Sequence, residues 1–275
     1  LWRFIRWLVA NQHDLMLRGD TFDHPAAESD DRAAAPTEDD CVRTFLKIAG
    51  AHQGFMVALQ YFCSQPGAML RIVPGNHDIF LKMPGVWAEF MKLVAPEHPE
   101  RVQRLSSLDE DEIHYEHGAI EPHDRFDPDK IIIERPGLPR LLNVSLGHLL
   151  IVSLMNPISS VNYLLARMYK SFPIWLDGFL HCGLRSWYRS RLFPLVAAYH
   201  TVKTLFGHPL IGPMKTLRVI WWTVRGTKDG LNPRDYAKRL LETRDDIDTV
   251  ILGHDHRAVD PLVQVGNRYK RYINT

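Results

Sequence analysis

The sequence predicts an α/β fold whose strands deliver polar side chains at their C-terminal ends, where open α/β sheets hold their ligands. Two observations lead there. Four short apolar runs, at residues 15–17, 72–73, 113–115 and 250–252, each lead into a cluster of carboxylate, amide or imidazole groups. Between the first two runs, Val42, Phe45, Leu46, Ala49, Phe55, Met56, Leu59 and Phe62 trace one helical face, as a crossover helix joining parallel strands does.

From the start of the chain, Leu1, Phe4, Ile5 and Leu8 fall at helical spacing with Arg3 and Arg6 beside them, an amphipathic helix too short to anchor in a bilayer. Residues 14–18 form a strand that delivers Gly19 and Asp20. Asp23, three residues on, is either a carboxylate supporting that site or a solvated loop residue. Residues 24–40, rich in Ala, Pro, Ser and acid without periodicity, predict an exposed loop with solvated carboxylates. A single helix over 41–62 then leads to the stretch RIVPGNHDIF at 71–80. Ile72 and Val73 are strand, Pro74 and Gly75 end it, and the turn presents Asn76, His77 and Asp78.

A further helix is expected between Val86 and Leu93, and the acidic run 109–112 leads into the strand before Glu116, His117 and Gly118. In 122–128, His123 and Asp127 either touch a ligand or belong to a polar loop closed by Pro128. Asn232 and Pro233 read as the cap and first position of a helix with Tyr236, Ala237, Leu240 and Leu241 facing inward. Residues 248–252 form the last ligand-bearing strand, ending in Gly253, His254, Asp255 and His256, and a hairpin closes around Gly266-Asn267.

At 275 residues the chain can bury a full core, as one large domain or two small ones. Cys41, Cys63 and Cys182 are widely spaced with no C-x-x-C, which excludes a thiolate metal site and favours a reduced, cytoplasmic setting. Oxygen and neutral nitrogen donors suit Mn²⁺, Fe or Zn²⁺ instead. His254 and His256 stand two residues apart, so an extended backbone turns both rings to one side and each can serve one of two neighbouring ions.

The order of these clusters resembles the calcineurin-like metallophosphoesterase family, whose blocks read D-x-H, G-D, G-N-H-D/E, H and G-H-x-H. Gly19-Asp20, Gly75-Asn76-His77-Asp78, His117 and Gly253-His254-Asp255-His256 match the last four in order. The D-x-H block is expected upstream of Leu1, and a final strand that in the family runs on through N-T-G implies that the chain continues past Thr275. The resemblance implies an α/β/β/α sandwich, two divalent metal ions and hydrolysis of a phosphate ester or pyrophosphate. It implies that Asp20 bridges both ions, that Asn76, His117 and His254 complete the second, and that His256 joins the first. His77, paired with Asp78, would protonate the leaving oxygen or stabilise developing charge. Asp23, His123 and Asp127 are the candidate substrate-binding residues. A nuclease of the same family and a non-catalytic scaffold on the same fold are the alternatives.

The resemblance is interrupted over residues 141–228, expected as a mostly helical insert between core segments 1–140 and 229–275. Prolines at 157, 173, 194, 209 and 213 cut this apolar, aromatic and basic stretch into helix-length pieces. Ten Lys or Arg stand against one acid, Asp177, a balance of +9, so the rest of the chain carries −8 within a total of +1. Its most apolar run, 141–155, predicts a helix of about three-quarters of the length that crosses a bilayer. Trp175, Trp187, Trp221 and Trp222 interleave with Arg185, Arg189, Arg191, Arg218 and Arg225. That mixture suits a lipid headgroup boundary, with the anionic inner face of a membrane or a lipid-linked substrate as partner. It equally suits a bundle packed on its own core or on another subunit. Nucleic acid is the weaker partner, because the acidic core interrupts a continuous phosphate track.

Overall fold

The computed structural model describes residues 1–27, 36–118, 131–134, 136–137, 139–145, 148, 233–254 and 261–274. The architecture is mixed α/β. Helix α1 (Trp2–Ala10) leads into strand β1 (Leu15–Arg18), and a short helix α2 (His24–Ala27) follows. Helices α3 (Glu38–Ala51) and α4 (Gln53–Ser64) cross over to β2 (Leu70–Val73), and α5 (Pro84–Val94) to β3 (Val102–Arg104). These strands form a three-stranded sheet, β1-β2-β3, parallel throughout, with Leu15 opposite Leu70 and Arg18 opposite Val73.

A second sheet has the order β4-β5-β8-β10-β9. It is built from β4 (Leu108–Glu110), β5 (Ile113–Tyr115), β8 (Thr249–Leu252), β9 (Leu262–Val265) and β10 (Arg268–Asn274). Helix α6 (Pro233–Thr243) packs on it. Strand β5 runs parallel to β8, and β8 parallel to β10, while β9 and β10 make the predicted hairpin through Gly266-Asn267. A small ladder pairs β6 (Ile132–Ile133) with β7 (Leu141–Leu142).

Three expectations are corrected. The predicted single helix over 41–62 is two helices, broken at His52, whose φ of −116° and ψ of 37° leave the helical region between Gly50 and Gly54. Of the expected loop over 24–40, residues 24–27 are the short helix α2 and residues 38–40 the first turn of α3, while 28–35 lie outside the described residues. Thr37 caps it, accepting from Asp40 N at 3.2 Å while Asp40 Oδ2 accepts from Thr37 N at 2.9 Å, and three acids face the positive helix end. Leu141 and Leu142, expected to begin an apolar helix, are a strand, and Leu142 and Val144 are buried in the core of the first sheet. The remainder of the insert lies outside the described residues apart from His148. Among the described residues no helix is long and apolar enough to cross a membrane.

The main core lies between the three-stranded sheet and α1, α3, α4 and α5. Its centre is aromatic: Phe22 meets Phe45, Phe55 and Phe90 edge-on at centroid distances of 5.8, 6.2 and 6.0 Å. A smaller core of Ala237, Leu241, Ile247, Val250, Leu252, Val263 and Tyr272 seats α6, where the predicted inward face is found. Cys41 and Cys63 are buried free thiols, and burial pushes Cys63 up to about 12. Phe90→Ala, which empties the aromatic centre, is expected to lower unfolding free energy by about 3–5 kcal/mol in denaturant titrations. Leu46→Ala, on the outer face of α3, should stay within about 0.5 kcal/mol.

Candidate metal centre

Four parallel strands from the two sheets end at one place. Beyond β1, Gly19 and Asp20 turn through φ of +74° and +50°; beyond β8, His254 adopts φ +70°. A left-handed backbone at two non-glycine residues is costly and marks a constrained site. It swings the Asp20 carboxylate and the His254 ring toward Asn76, beyond β2, and His117, beyond β5.

His117 Nε2 lies 2.9 Å from Asn76 Oδ1 and 3.3 Å from Asp20 Oδ2, and His254 Nδ1 lies 3.1 Å from the same Asn76 oxygen. Ligand atoms of Asp20, His117 and His254 all lie within 4.8 Å of one another. Asn76 and His117 are buried, while Asp20 and His254 are half-buried. Two glycines make room for the His117 ring. A Cβ on Gly75 would stand 2.7 Å from His117 Cε1, and one on Gly19 would stand 2.6 Å from its Cγ.

This arrangement fits a divalent cation. A single imidazole nitrogen carries at most one proton, yet His117 Nε2 faces two oxygens, and its other nitrogen, Nδ1, is buried with no hydrogen-bond partner. One carboxylate, one amide oxygen and two imidazoles instead cluster together, an oxygen and nitrogen set suited to Mn²⁺, Fe or Zn²⁺. Burial alone raises the Asp20 pKa. The hydrogen bond with His117, the charges of His117 and His77 and the His77 N–H outweigh it, bringing Asp20 down to about 2. With its folded value below the ordinary ~3.9, Asp20 gives stability that is present above about pH 4 and lost as pH falls toward 2.

The expected pairing of His77 with Asp78 is not found. His77 Nδ1 meets Asp23 Oδ1 at 2.8 Å, and the His77 main-chain N–H donates to Asp20 Oδ1 at 3.0 Å. Asp78 is fully buried and accepts from Thr21 N at 2.9 Å and from Gly75 N, so it binds two turns together. Consecutive residues of a tight turn point apart, which is why Asp78 serves the backbone and His77 looks outward to Asp23. Asp23, about half exposed, is thus the carboxylate in contact with the His77 ring. His123, Asp127 and His256 lie outside the described residues.

One network went unread in the sequence. Glu116 accepts from Tyr236 OH at 2.7 Å and meets His114 Nε2 at 3.3 Å, and His114 Nδ1 meets Asp109 at 2.5 Å. The Glu116 hydrogen bond, and then that of Asp109, raise the His114 pKa against its burial. Its signal was the alternation of Asp109, His114 and Glu116 across a hairpin that the acidic run concealed.

A scan against protein-family models finds no match for this chain, and a search of curated proteins finds none either.

Gly75→Ala is expected to lower Mn²⁺ affinity by about 10–100-fold in calorimetric titration, since the methyl displaces the His117 ring and the Asp20 carboxylate. Gly67→Ala, where no atom lies within 4 Å of the added carbon, controls for general backbone strain and should leave metal affinity unchanged.

Proposed function

We propose that this chain carries the metal centre of a calcineurin-like metallophosphoesterase, hydrolysing a phosphate ester or pyrophosphate, with its two sheets as the halves of that family's sandwich. The observation that carries the reading is the meeting of Asp20, Asn76, His117 and His254 at the ends of four parallel strands. A divalent ion held there supplies Lewis acidity toward a phosphoryl oxygen and activation of water. A second ion would be held by Asp20 and His256.

The chain's own residues divide the remaining work. Asn76 and His117 are buried and orient the ligand set. Asp23 fixes the His77 ring through Nδ1, so Nε2 is the atom that delivers a proton to the leaving oxygen. The main-chain N–H of His77 holds Asp20, tying the position of the proton donor to that of the carboxylate that would hold the metal.

The test is hydrolysis of bis(p-nitrophenyl) phosphate by the full-length protein with Mn²⁺, with chelator as control. His77→Ala should keep its metal and lose about 10²–10⁴-fold in turnover. Asp23→Ala should lose less, and Asp20→Ala should lose the metal. Metal-loaded protein without turnover on any phosphate ester would sink the hydrolase reading in favour of a metal-binding scaffold.

Stoichiometry gives a separate check. The four donors Asp20, Asn76, His117 and His254 serve a single ion, so residues 1–275 should bind about one Mn²⁺ firmly per chain in calorimetry. Two tight, equal sites would show that a further ligand set lies within these residues.

A further inference from the structure

Helix α1 has two faces of different character. Ile5 and Leu8 are buried against the core. Trp2, Phe4 and Trp7 are 40, 51 and 53% exposed, a large aromatic surface to leave in water. Phe4 and Trp7 stack on one another at 6.3 Å and 16°, and Trp2 meets Tyr61 of α4 edge-on at 5.6 Å. Val57, also on α4, is 44% exposed and extends the apolar surface.

Arg3 and Arg6 are set among these rings and exposed. Neither guanidinium has a hydrogen bond or ion pair among the described residues. The helix contains no acid, and the first one beyond it, Asp14, is bound to Arg71 at 3.1 Å. Helical spacing puts Trp2 beside Arg6 and Arg3 beside Trp7, so charge and aromatic surface alternate on the outward face.

We propose that this outward face of α1, extended by Tyr61 and Val57 of α4, docks on an anionic membrane surface. Two unpaired guanidiniums meet lipid phosphates, and the half-wet indoles settle at headgroup level beside them. Lipid is favoured over nucleic acid on two grounds. The Phe4 and Trp7 rings are stacked on each other rather than open to bases, and two cations are too few for a backbone track. The proposal is independent of the metal centre.

The experiment is cosedimentation of the full-length protein with vesicles of phosphatidylcholine alone or mixed with phosphatidylglycerol. Arg3→Ala/Arg6→Ala should weaken partition onto the anionic vesicles by roughly 30-fold, since each cation contributes about a five-fold factor near such a leaflet. Phe4→Ser/Trp7→Ser should weaken it by roughly 10-fold. All four side chains are exposed, so the variants should fold, and unchanged Mn²⁺ binding verifies it. Residues 141–228 are intact in every variant, so any attachment they make is common to all. Equal partition of the wild type and both variants overturns the proposal. So does a wild type that stays in the supernatant, or one whose α1 variants lose binding to a single-stranded oligonucleotide but not to vesicles.

Discussion

Everything at the centre depends on the buried Asp78 carboxylate, which accepts from the backbone of Thr21 and of Gly75. Those two N–H groups belong to the turns after β1 and β2. Together with the bond from the His77 N–H to Asp20 Oδ1, the carboxylate joins turns that no hairpin connects, because parallel strands end without one. Burial and the nearby charge of Asp20 raise the Asp78 pKa, against the pull of the two N–H groups and of His117. A bound cation would relieve that strain by neutralising Asp20. The turn that presents His77 is therefore held by the buried carboxylate beside it.

Sequence made legible whatever depends on short-range pattern. The positions that meet at the centre could be read because each lies two or three residues beyond an apolar run, and strands put their ends where the sheet holds ligands. The closing hairpin and the inward face of α6 were legible for the same reason. Partner choice was not. Asp78 is nearer to His77 in sequence than Asp23 is, yet a one-residue step in a tight turn reverses side-chain direction, while Asp23 crosses from another strand end. The break at His52 was hidden because the apolar stripe continues across it, and the β4–β5 hairpin because Asp111 and Glu112 take φ of +50° and +62° without a glycine to announce the turn.

Hydrogen bonds that carry charge secure the second sheet. Arg244 reaches Asp109 at 2.9 Å, Asp109 meets His114, and His114 meets Glu116, which Tyr236 of α6 also contacts. The chain of contacts runs from the loop after α6 to the residue next to His117. At its far side Lys270, only 5% exposed, donates to the carbonyls of Ile247 at 2.6 Å and Arg244 at 3.0 Å. A buried ammonium is stable only when so satisfied. The strands that bear His117 and His254 are thus fixed to each other and to α6 before any ligand is considered.

The donors are shared evenly between the sheets: Asp20 and Asn76 follow strands of the three-stranded sheet, His117 and His254 strands of the five-stranded one. Across the boundary between them run the contacts of His117 with Asp20 and Asn76, the contact of His254 with Asn76, and the ion pair of Arg71 with Glu110. Apart from that exposed ion pair, each of these contacts brings a ring nitrogen to an oxygen, and one proton must serve where two acceptors meet. A cation there would strengthen the joint, because lone pairs that compete for a proton all favour a metal. An ion held by both sheets binds the folded state and not the unfolded chain, so at a hundredfold excess over its Kd it would add about 2.7 kcal/mol to stability. The same four side chains would then both hold the ion and join the two sheets.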